Sequence, residues 1–271
     1  MLLLARQTLG ASVEASDGKI GKLCDLQNPP RLMGYESCLH QMPCIDRSGD
    51  VLVSVPLPGD ADLPGEPLNR WLVALGDISG KVETASRLKD ALETEVIRLV
   101  STMTNAASIL KALNHYLVDH AMEYVCATLL VAVIDGDRHE LTIANAGHVF
   151  PLIRRVDMRV EFLAKEIIGF PLGIDRGQNY EHVTVPIVPG EVVIFRSEGV
   201  TAEIHHQGCN IELNSLRQAI AQAPDDAASM GQSILEAIRR YGQGRAQVDD
   251  VTLLCLGRVV PTTLLGGEIS G

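Results

Sequence analysis

Acidic residues occur at four points of this chain where a predicted strand begins or ends beside a turn residue. They are Asp50 after Gly49, Asp77 after Gly76, Glu198 before Gly199, and the pair Asp249 and Asp250 before Val251. Strand ends on one edge of a sheet can converge, and converging carboxylates repel one another unless a cation neutralises them. Hard divalent ions such as Mg²⁺ and Mn²⁺ prefer carboxylate, carbonyl and water oxygens. The pattern therefore indicates a divalent metal site, whereas each acid taken alone is better explained as a solvated turn residue.

The strands that must position these acids are marked by apolar runs and turn signals. The turn Asp135-Gly136 joins a continuously apolar run to an alternating one, which predicts an antiparallel hairpin. A Pro/Gly-rich loop, Pro56 to Pro67, separates the first two strands. The predicted strands are Asp50–Val55, Arg70–Asp77, Cys126–Ile134, Glu140–Ala146, Pro151–Arg155, Tyr180–Val185, Glu191–Arg196 and Val251–Leu256.

Helices are predicted where apolar residues recur every three or four positions. The predicted helices are Thr84–Met103, Ala107–His120, Leu213–Ala223 and Asp226–Tyr241. They are grouped in pairs instead of alternating singly with strands, and the strands are joined mainly by hairpins. This layout predicts an α+β fold in which antiparallel sheets are covered by helices.

Five short motifs surround the acids and follow one another in order. Together they resemble the SpoIIE-like bacterial branch of the PPM (type 2C) metal-dependent serine/threonine protein phosphatases, from about Gly34 to Arg258. The resemblance implies two antiparallel β-sheets packed as a sandwich and flanked by helices, in α-β-β-α layers. The motifs are Gly76–Lys81, Ala144–His148, Gly169–Gly173, Ser197–Thr201 and Asp249–Leu253.

The resemblance also implies a role for each acid around two Mn²⁺ or Mg²⁺ ions at one edge of the sandwich. Two close cations lower the pKa of a bridging water, so that hydroxide can attack the phosphoryl group in line. Asp77 would bridge both ions, and Asp250 would lie beside the site, within hydrogen-bonding reach of the nucleophilic water. The implied metal ligands are Asp50, Asp77, the main-chain carbonyl of Ile78, Glu198 and Asp249, and the implied catalytic set is Asp50, Asp77, Asp249 and Asp250.

Three departures from the family pattern bear on the metal site. Val82 stands where a glycine usually follows the lysine of the Gly76–Lys81 motif. The segment around the first acid reads Ser48-Gly49-Asp50-Val51, where Gly-Gly-Asp followed by an aromatic residue is typical. Glu198 replaces an expected aspartate. These departures motivate an alternative from another class, a phosphatase-like domain without turnover that binds a phosphoprotein as a scaffold.

The implied activity is hydrolysis of phosphoserine or phosphothreonine on a protein substrate, such as an anti-sigma-factor antagonist. A net charge of -11 without a Lys/Arg block argues against a nucleic-acid partner. The longest apolar run, Tyr124 to Ile134, is too short to cross a membrane as a helix, and the start lacks the layout of a secretory signal. We therefore expect a cytoplasmic protein with no membrane partner; its oligomeric state is left open, and a dimer is one of the states allowed.

The chain divides into a leader (1–33), a phosphatase-like domain (34–258) and a tail (259–271). The leader contains two short predicted strands around Ser16-Asp17-Gly18, which resemble the opening hairpin of a PRC-barrel module. The cysteines form no C-x-x-C pair, so reduced thiols, several of them in apolar strands, are favoured over disulfides or a zinc site. They are Cys24, Cys38, Cys44, Cys126, Cys209 and Cys255.

Other chemistries fit the motifs less well. A phosphate-binding loop at Gly80-Lys81 lacks its first glycine, because Leu75 occupies that place. Ser79 is not in a nucleophile elbow and has no evident ordered Asp and His partners. His148 is better explained as a turn-stabilising or core histidine than as a ligand, and His205-His206 as part of a solvated loop.

Overall fold

The computed structural model of the protein describes residues 28–44, 49–57, 69–79, 82–120, 125–202, 211–242, 247 and 249–261. Two sheets lie face to face. The first sheet has the strand order β1-β11-β10-β6-β7, and the second has the order β2-β3-β4-β5-β8, with β9 also paired to β5. The strands are β1 Tyr35–Met42, β2 Asp50–Pro56, β3 Arg70–Ser79, β4 Cys126–Asp135, β5 Glu140–Ala146, β6 Leu152–Arg154, β7 Val160–Phe162, β8 Ile168–Gly169, β9 His182–Pro186, β10 Val192–Arg196 and β11 Val251–Arg258.

Helices cover the outer face of each sheet. They are α1 Val82–Val100, α2 Ala106–His120, α3 Gly199–Ala202, α4 Ile211–Gln222 and α5 Ala227–Gly242. The N-terminus of α2 is capped by Asn105, whose Oδ1 accepts the N–H of Ser108 at 2.9 Å. Asp226 caps α5 in the same way, accepting the N–H of Ser229 at 2.7 Å. Both caps satisfy main-chain donors that a helix cannot pair within itself.

Three apolar cores separate the layers. One lies between α1, α2 and the second sheet, one between the two sheets, and one between the first sheet and α4 and α5. Strand β2 shows how one segment serves two cores, because Val51 and Val53 face the helices while Leu52 faces the other sheet. A strand covered on both faces is continuously apolar, which is why β2, β3 and β4 were recognisable. The α-β-β-α sandwich predicted from the sequence is confirmed.

The ends of several elements differ from the prediction. The first helix ends at Val100, and Met103 follows it as a residue packed partly against the core. Strand β1 was not predicted, because seven of its eight residues are half-buried and the remaining one, Gln41, is exposed, so no apolar run marks it. Its position is set by main-chain pairing with β11, from Tyr35 opposite Arg258 to Met42 opposite Val251. The short elements β7, β8 and α3 were also missed, and β8 pairs with β5 in parallel.

Some sequence predictions lie outside the described residues, including the PRC-like hairpin, His205-His206, Cys24 and Cys209, and nearly all of the loop after β2. Of the predicted leader, Leu32 is buried in the core between the sheets, and the boundary at residue 33 stays a prediction. The four described cysteines are free thiols, but only Cys255 is buried, so the expectation of core thiols is met by that residue alone. None of the described helices is long and apolar enough to cross a membrane.

A buried arginine closes the C-terminal end of α4. The guanidinium of Arg154 donates to the carbonyls of Ala223 at 2.6 Å and Pro224 at 3.3 Å, and it pairs with Asp225 at 2.7 Å. The side chain of Arg154 is 1% exposed, whereas that of Asp225 is 74% exposed. Water can replace Arg154 as the partner of the exposed Asp225 carboxylate. The carbonyls of Ala223 and Pro224 are therefore the groups that would lose their hydrogen-bond donor without Arg154.

We expect Arg154→Met to lower the free energy of unfolding by about 1–3 kcal/mol, because it leaves carbonyls at a helix end without a donor. Urea unfolding measures the change. Arg159→Met is the matched control, since Arg159 forms only exposed ion pairs with Asp157 and Glu161, and such pairs contribute little. Equal losses in the two variants would contradict the capping role of Arg154.

Candidate active site

Asp50 and Asp77 lie opposite each other on neighbouring strands of the second sheet. Asp50 is the first residue of β2 and is the register partner of Asp77 on β3. A Cβ atom on Gly49 would collide with the Asp77 carboxylate and would lie 3.0 Å from the carbonyl oxygen of Ile78. The Ile78 N–H donates to the Gly49 carbonyl at 3.2 Å. Glycine at position 49 therefore leaves the Asp77 carboxylate in place, whereas any larger residue would displace it.

The first sheet brings Glu198 and Asp249 to the same edge. Glu198 follows β10 and Asp249 precedes β11, and these two strands are antiparallel neighbours. The turns meet closely, because a Cβ atom on Gly199 would collide with the carbonyl oxygen of Asp250 and lie 3.5 Å from Cβ of Asp249. The side chain of Glu198 is exposed. The structure thus places all four acidic points of the sequence at one end of the sandwich.

Hydroxyl groups join the two sheets at this edge. Thr252 donates its hydroxyl to Oδ2 of Asp50 at 2.6 Å, across the gap between the sheets. Ser197 accepts the N–H of Thr252 at 3.0 Å and donates to the carbonyl of Asp250 at 3.2 Å. Sequence reasoning assigned no role to Ser197 or Thr252, although both lie within the quoted motifs. The signal available in the sequence was the position of Thr252, two residues after Asp250 of the Asp249-Asp250 pair.

Burial and mutual repulsion perturb the acids. Burial raises the pKa of Asp50 to about 7; the hydroxyls of Thr252 and Ser197 lower it, and the charges of Asp250 and Asp77 raise it. The pKa of Asp77 is also raised, first by burial and then by the charge of Asp249, with Glu198 and Asp250 adding to the effect, although the N–H of Ile78 lowers it. Carboxylates whose charges raise one another's pKa in this way are close in space.

The donor set suits a hard divalent cation. Every candidate donor is a carboxylate or a main-chain carbonyl, the groups that Mg²⁺ and Mn²⁺ prefer. A cation would offset both the burial and the repulsion that raise the pKa of Asp77. Within the described ranges, however, no three Asp, Glu, His or Cys side chains are gathered closely enough to hold an ion as they stand. The residues therefore fit the metal by chemistry and location, and binding requires side chains to turn inward.

His148 is a core histidine, as the sequence indicated. It is 2% exposed, and its ring nitrogens contact the Thr128 hydroxyl at 3.1 Å and the Arg196 carbonyl at 3.2 Å. Burial lowers its pKa to about 4. The side chain of Asn145 closes the turn, because its Oδ1 accepts the N–H of His148 and its Nδ2 donates to the His148 carbonyl. With both ring nitrogens in contacts and the imidazole neutral, His148 is a structural residue of the strand exit.

The perturbed pKa of Asp50 predicts how pH acts on the metal-free protein. Because the folded state holds this proton up to about pH 7 while the unfolded chain releases it near its ordinary value, stability falls as pH rises from about 4 to 7. Asp50→Asn stays neutral and can still accept from Thr252. In chelator, the variant should melt several degrees above the wild type at pH 8, with the difference shrinking toward pH 4. A difference that does not depend on pH would contradict the assignment.

Comparison with known proteins places the chain in a family. Residues 67–259 match the profile of "Stage II sporulation protein E (SpoIIE)". The phosphoserine phosphatase RsbU of Bacillus subtilis (strain 168) is 25% identical over 189 residues, which are 69% of this chain and 56% of RsbU. The chain thus spans about half the length of that curated relative.

Solved structures share the fold. The RsbU and RsbW domains of Rv1364c from Mycobacterium tuberculosis superpose with a TM-score of 0.69 at 19% identity, over 86% of this chain and 63% of that one. RsbX in complex with magnesium superposes with a TM-score of 0.61 at 15% identity, over 84% of this chain and 98% of RsbX. Because the family profile matches most of the chain, this protein belongs to the Stage II sporulation protein E (SpoIIE) family.

Proposed function

We propose that the protein is a metal-dependent serine/threonine protein phosphatase. The observation that carries the proposal is the convergence of Asp50, Asp77, Glu198 and Asp249 at one edge of the sandwich, where Asp77 experiences the charges of the other sheet's acids. Carboxylates from four separate strand ends, brought together despite their repulsion, are better suited to cations than to any structural role. The name of the relative RsbU and the magnesium complex of RsbX support the same chemistry.

In this proposal the chain's own residues hold two Mn²⁺ or Mg²⁺ ions. The ligands would be Asp50, Asp77, the carbonyl of Ile78, Glu198 and Asp249, with Asp77 shared by both ions. Bound ions would activate a water and neutralise the phosphoryl oxygens during in-line displacement. Thr252 fixes the carboxylate of Asp50, and Gly49 leaves room for that of Asp77. Both contacts spare the site part of the cost of ordering its ligands.

The proposed substrate is phosphoserine or phosphothreonine on a protein, and we propose a bacterial signalling regulator of the anti-sigma-factor antagonist type as its bearer. The relationship to RsbU supports this class, and the net charge of -11 disfavours a nucleic acid. We further propose that the reaction takes place in the cytoplasm.

A second candidate function is a phosphatase-like scaffold that binds a phosphoprotein without turnover. It is favoured by the exposed Glu198 in place of an aspartate and by the spacing of the described carboxylates, which do not yet form an ion site. The two candidates differ in one measurable respect, manganese-dependent turnover of a phosphate ester.

Activity on p-nitrophenyl phosphate and on a phosphoserine peptide should appear with Mn²⁺ or Mg²⁺ and disappear in chelator. Asp77→Asn should lower kcat by about a hundredfold or more, because it removes the shared ligand. The same variant should raise Tm in the metal-free state, since one of the repelling charges is gone. Asp137→Asn, an exposed residue in the β4–β5 turn at the opposite end of the sheet, is the control and should leave both quantities unchanged. Turnover that survives exhaustive metal removal would refute the mechanism.

Glu198 should limit metal affinity. Its carboxylate extends about 1.5 Å farther from the backbone than that of an aspartate, and Mg²⁺ tolerates misplaced ligands poorly. We expect Glu198→Asp to tighten Mn²⁺ binding and Glu198→Ala to weaken it, as measured by calorimetric titration. Equal affinity in all three proteins would remove Glu198 from the site, and weaker binding by Glu198→Asp would show that the longer side chain already matches its turn.

A further inference from the structure

The carboxylate of Asp250 is used by the main chain. Asp250 is 4% exposed. Its Oδ1 accepts the N–H of Cys44 at 2.7 Å, and its Oδ2 accepts the N–H groups of Gly49 at 3.0 Å and Asp50 at 3.3 Å. A carboxylate offers about four acceptor positions, so most of this one's capacity is occupied. Little is left for a water or a metal ion.

The main chain of Asp250 contacts the other segments of the site. Its carbonyl accepts the hydroxyl of Ser197 at 3.2 Å and lies against Gly199, next to Glu198. Its N–H donates to Oδ1 of Asp249 at 2.9 Å. One residue therefore contacts the segment that carries Asp50, the turn that carries Glu198, and the carboxylate of Asp249.

Neighbouring contacts reinforce the same junction. The side-chain amide of Gln247 donates to the carbonyls of Met42 at 2.6 Å and Asp249 at 2.7 Å. The thiol of Cys44 donates to the carbonyl of Gln247 at 3.4 Å. The end of β1 is thus joined to the segment before β11, and Cys44, one of the three residues that donate to Asp250, is held there by a second contact.

We propose that Asp250 is a positioning residue, which fixes the segment bearing Asp50 against the acids of the first sheet, instead of a group that acts on the nucleophilic water. This inference rests on the proposed function, because the position of Asp50 matters for activity only if Asp50 binds a cation. Main-chain N–H groups converging on an anion form charge-assisted hydrogen bonds, which are shorter and stronger than neutral ones. They also stabilise one negative charge beside several others without using the metal.

Two readouts test this role. In the metal-free, full-length wild type, the amides of Cys44, Gly49 and Asp50 should exchange slowly with deuterium, as followed by NMR. Asp250→Ala should expose these amides to fast exchange while β3 and the centre of β11 stay protected. The same variant should raise the calorimetric Kd for Mn²⁺ about tenfold or more, because the lost hydrogen bonds no longer order Asp50.

Asp249→Asn is the matched control. It removes an equal charge one residue earlier, and its side-chain oxygen can still accept the N–H of Asp250. We expect it to weaken Mn²⁺ binding while the three amides remain protected. Loss of a ligand should therefore lower Mn²⁺ affinity alone, whereas loss of a positioning residue should lower both amide protection and Mn²⁺ affinity. If Asp250→Ala does not fold, Asp250→Asn gives the same comparison, because its amide group faces at least one N–H and loses that bond.

Unchanged protection of the three amides in the folded Asp250 variant would overturn the proposal, and so would unchanged Mn²⁺ affinity after protection is lost. A wild type that binds no Mn²⁺ would instead refute the proposed function. In that case the exchange measurements would still decide whether Asp250 holds the segment before β2, so the two failures are distinguishable.

Discussion

The burial of several carboxylates close together at one edge of the sandwich is the constraint on which the surrounding hydrogen bonds depend. Burial alone makes the charged form of Asp50 costly, and the neighbouring acids add to that cost. The fold compensates with donors, which are the hydroxyl of Thr252 for Asp50, the N–H of Ile78 for Asp77, and three main-chain N–H groups for Asp250. A natural protein keeps such a costly arrangement where it serves binding or catalysis.

The site depends on contacts between the sheets as much as on the strands themselves. Register within the second sheet places Asp50 opposite Asp77, and register within the first sheet places the β10 and β11 ends together. Among the described residues, hydrogen bonds of Thr252 and Asp250 to the start of β2 link the two pairs. His148, which follows β5, adds a contact to the Arg196 carbonyl on β10. Because packed sheets interdigitate over an apolar core, the core between the sheets sets their separation, and these few polar contacts set the alignment at the edge.

The sequence was informative where local chemistry decides the outcome. The continuous apolar run of β4 and the Asp135-Gly136 turn identified a central hairpin, and glycines beside acids identified the strand ends. The roles of Thr252 and Asp250 could not be predicted in this way, because each contacts a partner about two hundred positions away in the chain. Strand β1 was missed for a related reason. It is half-buried at seven of its eight residues, so it carries no strong pattern of its own and takes its conformation from its pairing with β11.

Glu198 shows how tightly the backbone of the site is determined. Its carbonyl accepts both the N–H and the hydroxyl of Thr201 at 2.9 Å, and Thr201 in turn accepts a hydrogen bond at 3.1 Å from Arg196, a buried guanidinium whose pKa burial lowers to about 10. On the other side, Gly199 lies against Asp250 with no room for a side chain. A turn held from both sides cannot retreat to accommodate a longer residue, so the extra methylene of Glu198 must be absorbed by side-chain rotation. The side chain of Glu198 is accordingly exposed, whereas Asp77 and Asp249 are half-buried and Asp50 and Asp250 are buried. A cation bound here would therefore recruit Glu198 by rotation of its side chain and not by movement of the turn.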